Sequence, residues 1–262
     1  MALTANTLAA IALAAGKEIM RVYRTDFDVS HKDDHSVLTE ADGLAEAIIL
    51  KGLAEADPTL QVIAEEAVAG GHIPEHGTRF ALVDPLDGTK EFVAKNGEFT
   101  VNIAIIENGR PVMGVVYAPA LHRLFVAESP EHAWQGKAAP DGPIPEKRSS
   151  LKIRPAPDAG LTAVASKSHR SPETDEWLSH YPISEIKGAG SALKFCLVAA
   201  GEADVYPRLG RTMEWDTAAG QAVVEAAGGR VLTISGTPLL YGKRERGYDN
   251  PHFVVFGDVT PR

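Results

Sequence analysis

The chain of 262 residues contains one cysteine, Cys196, so no disulfide can form within it and a reducing compartment is the simpler expectation. Cys196 lies in the apolar run Phe195 to Ala200, which reads as a buried thiol rather than a nucleophile. A basic surplus is missing as well: 26 Lys and Arg stand against 35 Asp and Glu, a formal net charge of −9. That argues against long nucleic acid as a partner, because a polyphosphate backbone needs a basic face. It leaves room for a small anionic ligand, which a few local cations and metal ions can receive. No apolar stretch approaches the roughly 18 residues of a membrane span. Leu8 to Ala15 has the character of a secretory h-region, yet no Lys or Arg precedes Lys17, so the positive start of a signal is absent. A cytoplasmic protein is therefore expected. The histidines, His31 and His35 among them, show no zinc spacing such as His-Glu-x-x-His.

What is present is ordinary globular material, 44% hydrophobic and 23% charged, long enough to bury a full core as one unit or two packed halves. Leu8, Ile11, Ala15, Ile19 and Val22 recur at three- and four-residue steps, which predicts an amphipathic helix running to Tyr23. A second helix is expected over Ala41 to Leu53, with Leu44, Ile48 and Leu53 on one side, opened by the capping box Thr39-Glu40-Ala41-Asp42. Short apolar runs at 62–64 and 80–83 end directly in acidic residues. Thr100 to Ile106 and Pro111 to Tyr117 flank Asn108-Gly109, a strong hairpin signal, and Leu124 to Ala127 extends the meander. The Pro-rich stretch 138–150 reads as a linker or surface loop.

Beyond it the rhythm changes to βαβ. Strands are expected at Leu161 to Ala165, Ile183 to Ile186, Ala203 to Tyr206 and Phe253 to Phe256. Helices are expected at Ser191 to Ala200 and at Thr217 to Ala227, the latter closed by Gly228-Gly229. The expected architecture is α/β: an antiparallel-sheet half (1–150) joined to a more parallel α/β half (151–262), with a cleft between them.

The most informative segment is Phe80-Ala-Leu-Val-Asp84-Pro-Leu-Asp87-Gly-Thr-Lys-Glu-Phe92. A buried strand delivers one carboxylate at its end, Pro85 turns the chain, and a second carboxylate follows three residues later. Two like charges so close call for cations, and Gly88-Thr89 then offers backbone N–H groups suited to a phosphate. Asp-Pro-x-Asp-Gly is equally a good turn, and spacing alone leaves both readings standing. It does exclude one rival, because haloacid-dehalogenase-type phosphatases carry Asp-x-Asp-x-Thr, with one residue between the aspartates instead of two. Glu65-Glu66 after the 62–64 run, Asp216 as a helix N-cap, and Asp42 inside its capping box each have an equally plain structural reading.

Taken together, Glu65-Glu66, Asp84-Pro85-Leu86-Asp87-Gly88-Thr89 and Trp215-Asp216-Thr217-Ala218-Ala219 resemble the inositol monophosphatase superfamily of magnesium-dependent, lithium-sensitive phosphatases over nearly the whole chain. Lys90-Glu91-Phe92, Ser166-Lys-Ser-His169, Gly190-Ser-Ala-Leu-Lys-Phe-Cys196 and Ala203-Asp-Val-Tyr-Pro-Arg208 are similar to its 3'(2'),5'-bisphosphate nucleotidase branch.

The resemblance implies an αβαβα sandwich and hydrolysis of adenosine 3',5'-bisphosphate to AMP and phosphate, with its phosphosulfate analogue as a second substrate. It implies two or three Mg2+ ions held by Glu65, Asp84, the Leu86 carbonyl, Asp87 and Asp216. Asp42 and Thr89 would activate the attacking water. Gly88, Thr89 and Lys90 would hold the scissile phosphate, and His169, Ser191, Lys194 and Arg208 the rest of the nucleotide. A homodimer is compatible with it. Lys32-Asp-Asp-His-Ser36-Val37 departs from the family's usual loop, which has proline where Val37 stands.

Overall fold

The computed structural model describes residues 3–26, 29–31, 37–166 and 171–261. His169 and the 32–36 part of the loop noted above lie outside the described residues.

Helix α1 (Ala5–Tyr23) is opened by Thr4, whose hydroxyl accepts from the Thr7 N–H, and it buries the expected stripe Leu8, Ile11, Ala15, Ile19 and Val22. A two-stranded ribbon, β1 (Val29–His31) and β2 (Val37–Thr39), leads into α2 (Glu40–Ala56). The capping box forms as expected: the Asp42 carboxylate accepts from the Thr39 backbone N–H at 2.9 Å. The buried stripe of α2, however, is Ala41, Ala45, Ile49 and Leu53, and Leu44 is 37% exposed. Small residues win this face because α2 lies close against α1: a Cβ on Gly52 would stand 2.7 Å from Ile11.

The first sheet has seven strands in chain order: β3 (Gln61–Ala64), β4 (Arg79–Asp87), β5 (Thr100–Glu107), β6 (Arg110–Ala118), β7 (Arg123–Ser129), β8 (His132–Lys137) and β9 (Ser149–Ser150). Every pairing is antiparallel except β3 with β4. Asn108 and Gly109 both take positive φ, 52° and 75°, as a two-residue hairpin turn requires. Two short helices, α3 (Glu65–Ala69) and α4 (Thr89–Val93), follow β3 and β4. The stretch expected as linker or loop ends as β9, so the sheet claims its last residues.

The second sheet comprises β10 (Leu161–Ser166), β11 (Ile183–Ala189), β12 (Val205–Arg208), β13 (Arg230–Thr233) and β14 (Phe253–Phe256), in the order β11-β10-β12-β14-β13. The β11-β10-β12 part is parallel and the β12-β14-β13 part antiparallel, so this sheet is mixed. Helix α5 (Pro172–Ser179) covers its outer face. Helices α6 (Leu193–Ala199) and α7 (Glu214–Ala226) lie between the sheets, while α1 and α2 cover the far side of the first. The layers are thus α, β, α, β, α. The middle layer fits because α7 is lined with small residues. A Cβ on Gly114 of β6 would meet Ala222 at 2.7 Å, and one on Gly220 would enter the Phe195 ring.

Two helix starts differ from expectation. Helix α6 begins at Leu193, not Ser191, because Ser191 takes the left-handed φ of 46° that no helix admits. Helix α7 begins at Glu214, three residues early.

Candidate active site

Parallel pairing of β3 and β4 puts Ala64 opposite Val83, so Glu65, which opens α3, and Asp84, the next residue of β4, both emerge at one end of this strand pair. Beyond Asp84 the register with β5 slips: Asp84 faces Asn102 and Asp87 faces Thr100, two residues against one. Pro85, with no N–H to lose, sits in this bulge. The Leu86 N–H turns back onto Asp84 Oδ1 at 3.0 Å. The Leu86 side chain is buried with the α1–α2 core, and its carbonyl accepts from the Thr89 hydroxyl at 3.3 Å. Gly88 then takes φ 91° in a place where a Cβ would crowd the Glu98 carbonyl at 3.3 Å, so glycine is required there.

Asp42 reaches this edge from α2. Its Oδ2 accepts from the N–H and hydroxyl of Thr39, while Oδ1 accepts from the Thr89 hydroxyl at 3.4 Å. Asp216 comes from the opposite side. It is the third residue of α7, not the N-cap, and its Oδ2 accepts from the Met213 N–H at 2.8 Å.

Apart from Asp42, the carboxylates and the Leu86–Thr89 turn share one cavity of about 230 Å³. Glu65, Asp84, Leu86, Asp87, Gly88, Thr89 and Lys90 line it from the first-sheet side, and Ser191, Lys194, Arg208 and Asp216 from the other. Asp42 stands behind Thr89 and is not part of the lining. Sequence reading missed Asn102, which donates to Asp87 Oδ2 at 3.2 Å, and Tyr206, Gly190, Glu91 and Thr212 in the walls. Asn102 had a visible signal: it is the one amide in the apolar run Val101 to Ile106.

Burial pushes the Asp84 and Asp216 carboxyls well up from the usual range, and the neighbouring carboxylates, Glu65 and Asp87 among them, push in the same direction. Asp87 is raised to about 6 by burial, against the pull of the Lys194 ammonium, Asn102 and the Ala192 N–H. Lys194, 6% exposed where the sequence allows a solvated residue, is lowered to about 8 by burial, with Asp87 opposing. Its ammonium donates to the Ser191 carbonyl at 2.7 Å. Arg208 donates to the Arg211 carbonyl at 3.0 Å, and its Nε is buried with no hydrogen-bond partner among the described residues.

The acidic wall has the chemistry of a hard divalent-cation site: oxygen donors only, several of them anionic, destabilised by one another until a cation intervenes. Among the described residues no three Asp, Glu, His or Cys groups already close around a single point. No helix among the described residues is long and apolar enough to cross a membrane.

Comparison with known proteins places this geometry. Residues 2–253 match the model of the inositol monophosphatase family. The 3'(2'),5'-bisphosphate nucleotidase CysQ of Escherichia coli K12 is 43% identical over 247 residues, covering 94% of this chain and 96% of the relative. The protein of the same name from Buchnera aphidicola is 42% identical, covering 90% and 86%. The crystal structure of CysQ from Bacteroides thetaiotaomicron superposes with a TM-score of 0.81 at 37% identity, over 98% of this chain and 97% of that one. Motifs, layer order and full-length similarity agree, and the chain belongs to the inositol monophosphatase family.

Proposed function

We propose that this protein hydrolyses adenosine 3',5'-bisphosphate to AMP and inorganic phosphate with bound magnesium, and accepts the 5'-phosphosulfate analogue in the same way. The observation that carries the reading is the two-sided cavity: carboxylates of Glu65, Asp84 and Asp87 on one wall, met by Asp216 from the other, where Lys194 and Arg208 also stand. A ligand with two phosphates needs both, one group at the metals and a second among cations. The relatives named as bisphosphate nucleotidases support the same substrate.

In this reading Glu65, Asp84, the Leu86 carbonyl, Asp87 and Asp216 hold the two or three magnesium ions. When bound, magnesium supplies Lewis-acid polarisation of the phosphoryl group and of an attacking water. The rest falls to the protein. The Thr89 hydroxyl, whose one proton is shared between Asp42 and the Leu86 carbonyl, orients the water, and Asp42 is the final acceptor of the water's proton. Backbone N–H groups at Gly88 and Thr89, with Lys90, hold the scissile phosphate. Ser191, Lys194 and Arg208 bind the remainder of the nucleotide. His169, which the resemblance also implies, lies outside the described residues.

Attack is direct, without a phosphoenzyme. The one cysteine is buried, and burial pushes its thiol well up, away from nucleophilic use. The division of labour follows the chain: residues 1–150 carry most ligands, and residues 151–262 supply Asp216 and the nucleotide contacts. A cytoplasmic location is part of the proposal.

Phosphate release from adenosine 3',5'-bisphosphate, inositol 1-phosphate and fructose 1,6-bisphosphate, with magnesium present, tests this. The bisphosphate nucleotide is expected to give the highest kcat/KM. If it is the poorest of the three, the nucleotide assignment falls; if none is hydrolysed, the phosphatase reading falls with it.

A further inference from the structure

The turn Ala189 to Ala192 joins the second sheet to α6 and carries three unusual features at once. Ser191 is a non-glycine residue at φ 46°, a conformation that persists only where its surroundings enforce it. Its hydroxyl oxygen is buried and has no hydrogen-bond partner among the described residues, although the residue lines the cavity. A buried hydroxyl left unpaired calls for a reason. The turn is also gripped from both sides by acids of the other sheet's loops: the Gly190 N–H donates to Glu98 Oε2 at 3.0 Å and the Ala192 N–H to Asp87 Oδ2 at 2.6 Å.

The Glu98 side of this grip is tight. A Cβ on Gly190 would stand 2.6 Å from the Glu98 carbonyl and 2.8 Å from Glu91 Cγ, so the turn lies directly against the segment after α4. Glu98 is itself set in place, its N–H donating to Asn96 Oδ1 at 2.9 Å. Asp87 has a second duty in the acidic wall. Glu98 does not line the cavity.

We infer that Glu98 is a positioning residue for substrate binding: by accepting the Gly190 N–H it holds Ser191 left-handed, with its unpartnered hydroxyl kept for the non-reacting part of the substrate. The inference rests on the proposed function for the identity of that substrate, but the mechanical link does not. Losing the acceptor frees the turn to relax, and the hydroxyl then finds another partner. Ground-state binding suffers and the reacting end does not, so KM rises while kcat is kept.

The test compares wild type, Glu98→Ala, Glu98→Gln, Ser191→Ala and the Glu98→Ala/Ser191→Ala double variant by steady-state phosphate release. Glu98→Ala is expected to raise KM for adenosine 3',5'-bisphosphate about tenfold with kcat within about twofold. Glu98→Gln keeps a carbonyl acceptor for Gly190 and stays near wild type. Ser191→Ala raises KM similarly, and the double variant is no worse than the single ones, since both remove one contact. An unchanged KM in Glu98→Ala, a loss of kcat at constant KM, or additive losses in the double variant overturns the inference. If Glu98→Ala does not fold, the Glu98→Gln and Glu98→Asp pair decides: Asp is too short to reach Gly190, so equal KM values overturn it. The series is run on whichever of the three esters the wild type turns over. A wild type inactive on the bisphosphate thus refutes the substrate reading and leaves the Glu98 comparison standing on its own.

Discussion

The two walls of the cavity are built by different means. The acidic wall is assembled mainly from neighbouring chain: β3 and β4 run parallel in register, so Glu65 and Asp84 emerge together, and one bulge and one turn later come Asp87, Gly88 and Thr89. The cationic wall is assembled from distance. Lys194 and Arg208 sit on α6 and β12 of the second sheet, and they face the acids only because α6 and α7 pack between the sheets. The first wall is a property of a motif, the second a property of the packing. The difference teaches where each can be damaged: the acidic wall residue by residue, the cationic wall also through any contact that sets the turn before α6.

Asp87 belongs to both walls, since one of its oxygens holds the Ala192 N–H, and it is where the contrast breaks most visibly. Asp87→Asn is expected to lower kcat about 1000-fold, the several kcal/mol that a metal ion contributes to phosphoryl transfer. The far-UV spectrum should stay native, because asparagine keeps a carbonyl oxygen for the Asn102 and Ala192 donors. Retained turnover in magnesium would show that Asp87 is only a clamp for the turn.

Thr89→Val sharpens the acidic side alone. It keeps shape and removes the hydroxyl between Asp42 and the Leu86 carbonyl. A fall of about 100-fold in kcat is expected, in the range of general acid–base contributions, with Thr89→Ser recovering most of it. A change confined to KM would reassign Thr89 to binding.

Lys194→Met probes the opposite wall. The buried ammonium serves no surface role, and the methionine occupies similar volume. KM for the bisphosphate should rise about 30-fold, as for loss of a charge-assisted hydrogen bond, and the salt dependence of kcat/KM should weaken. If inositol 1-phosphate, with its single phosphate, loses as much, Lys194 does not read the second phosphate.

The smallest effect lies at the far end of β4. Arg79 and Thr59 hold the Asp57 carboxyl down at about 2, the Arg79 hydrogen bond being the larger cause. A depressed carboxyl stabilises the fold fully above its ordinary value and loses that contribution as pH falls through about 2. The Asp57 side chain is half-buried and its Arg79 partner exposed, so screening keeps the effect small. Asp57→Asn should lower the Tm by no more than about 2 °C at neutral pH, and the difference from wild type should vanish near pH 2. A difference that persists there would place the effect elsewhere than in this ion pair.

Several elements were legible from the residues alone. The stripe of α1, the capping box of α2 and the Asn108-Gly109 hairpin are short-range features, dictated by spacing and turn chemistry. The acidic motif is of the same kind, and the bulge at Pro85-Leu86 explains why it has two residues between its aspartates. Other features were not legible, because they depend on what lies opposite. The phase of α2 is decided by how close α1 comes, which turns the helix to bury Ala45 and expose Leu44. Nothing local marks Lys194 as buried or Ser191 as left-handed; both lie at a turn whose N–H groups are held by Glu98 and Asp87 of the other sheet's loops. By itself the sequence determined an oxygen-rich, metal-suited edge on an α/β chain. Only the tertiary structure decided that a buried cation and a buried, unpartnered hydroxyl stand across from it, because those positions are set by contacts between residues about 90 to 105 apart in the chain.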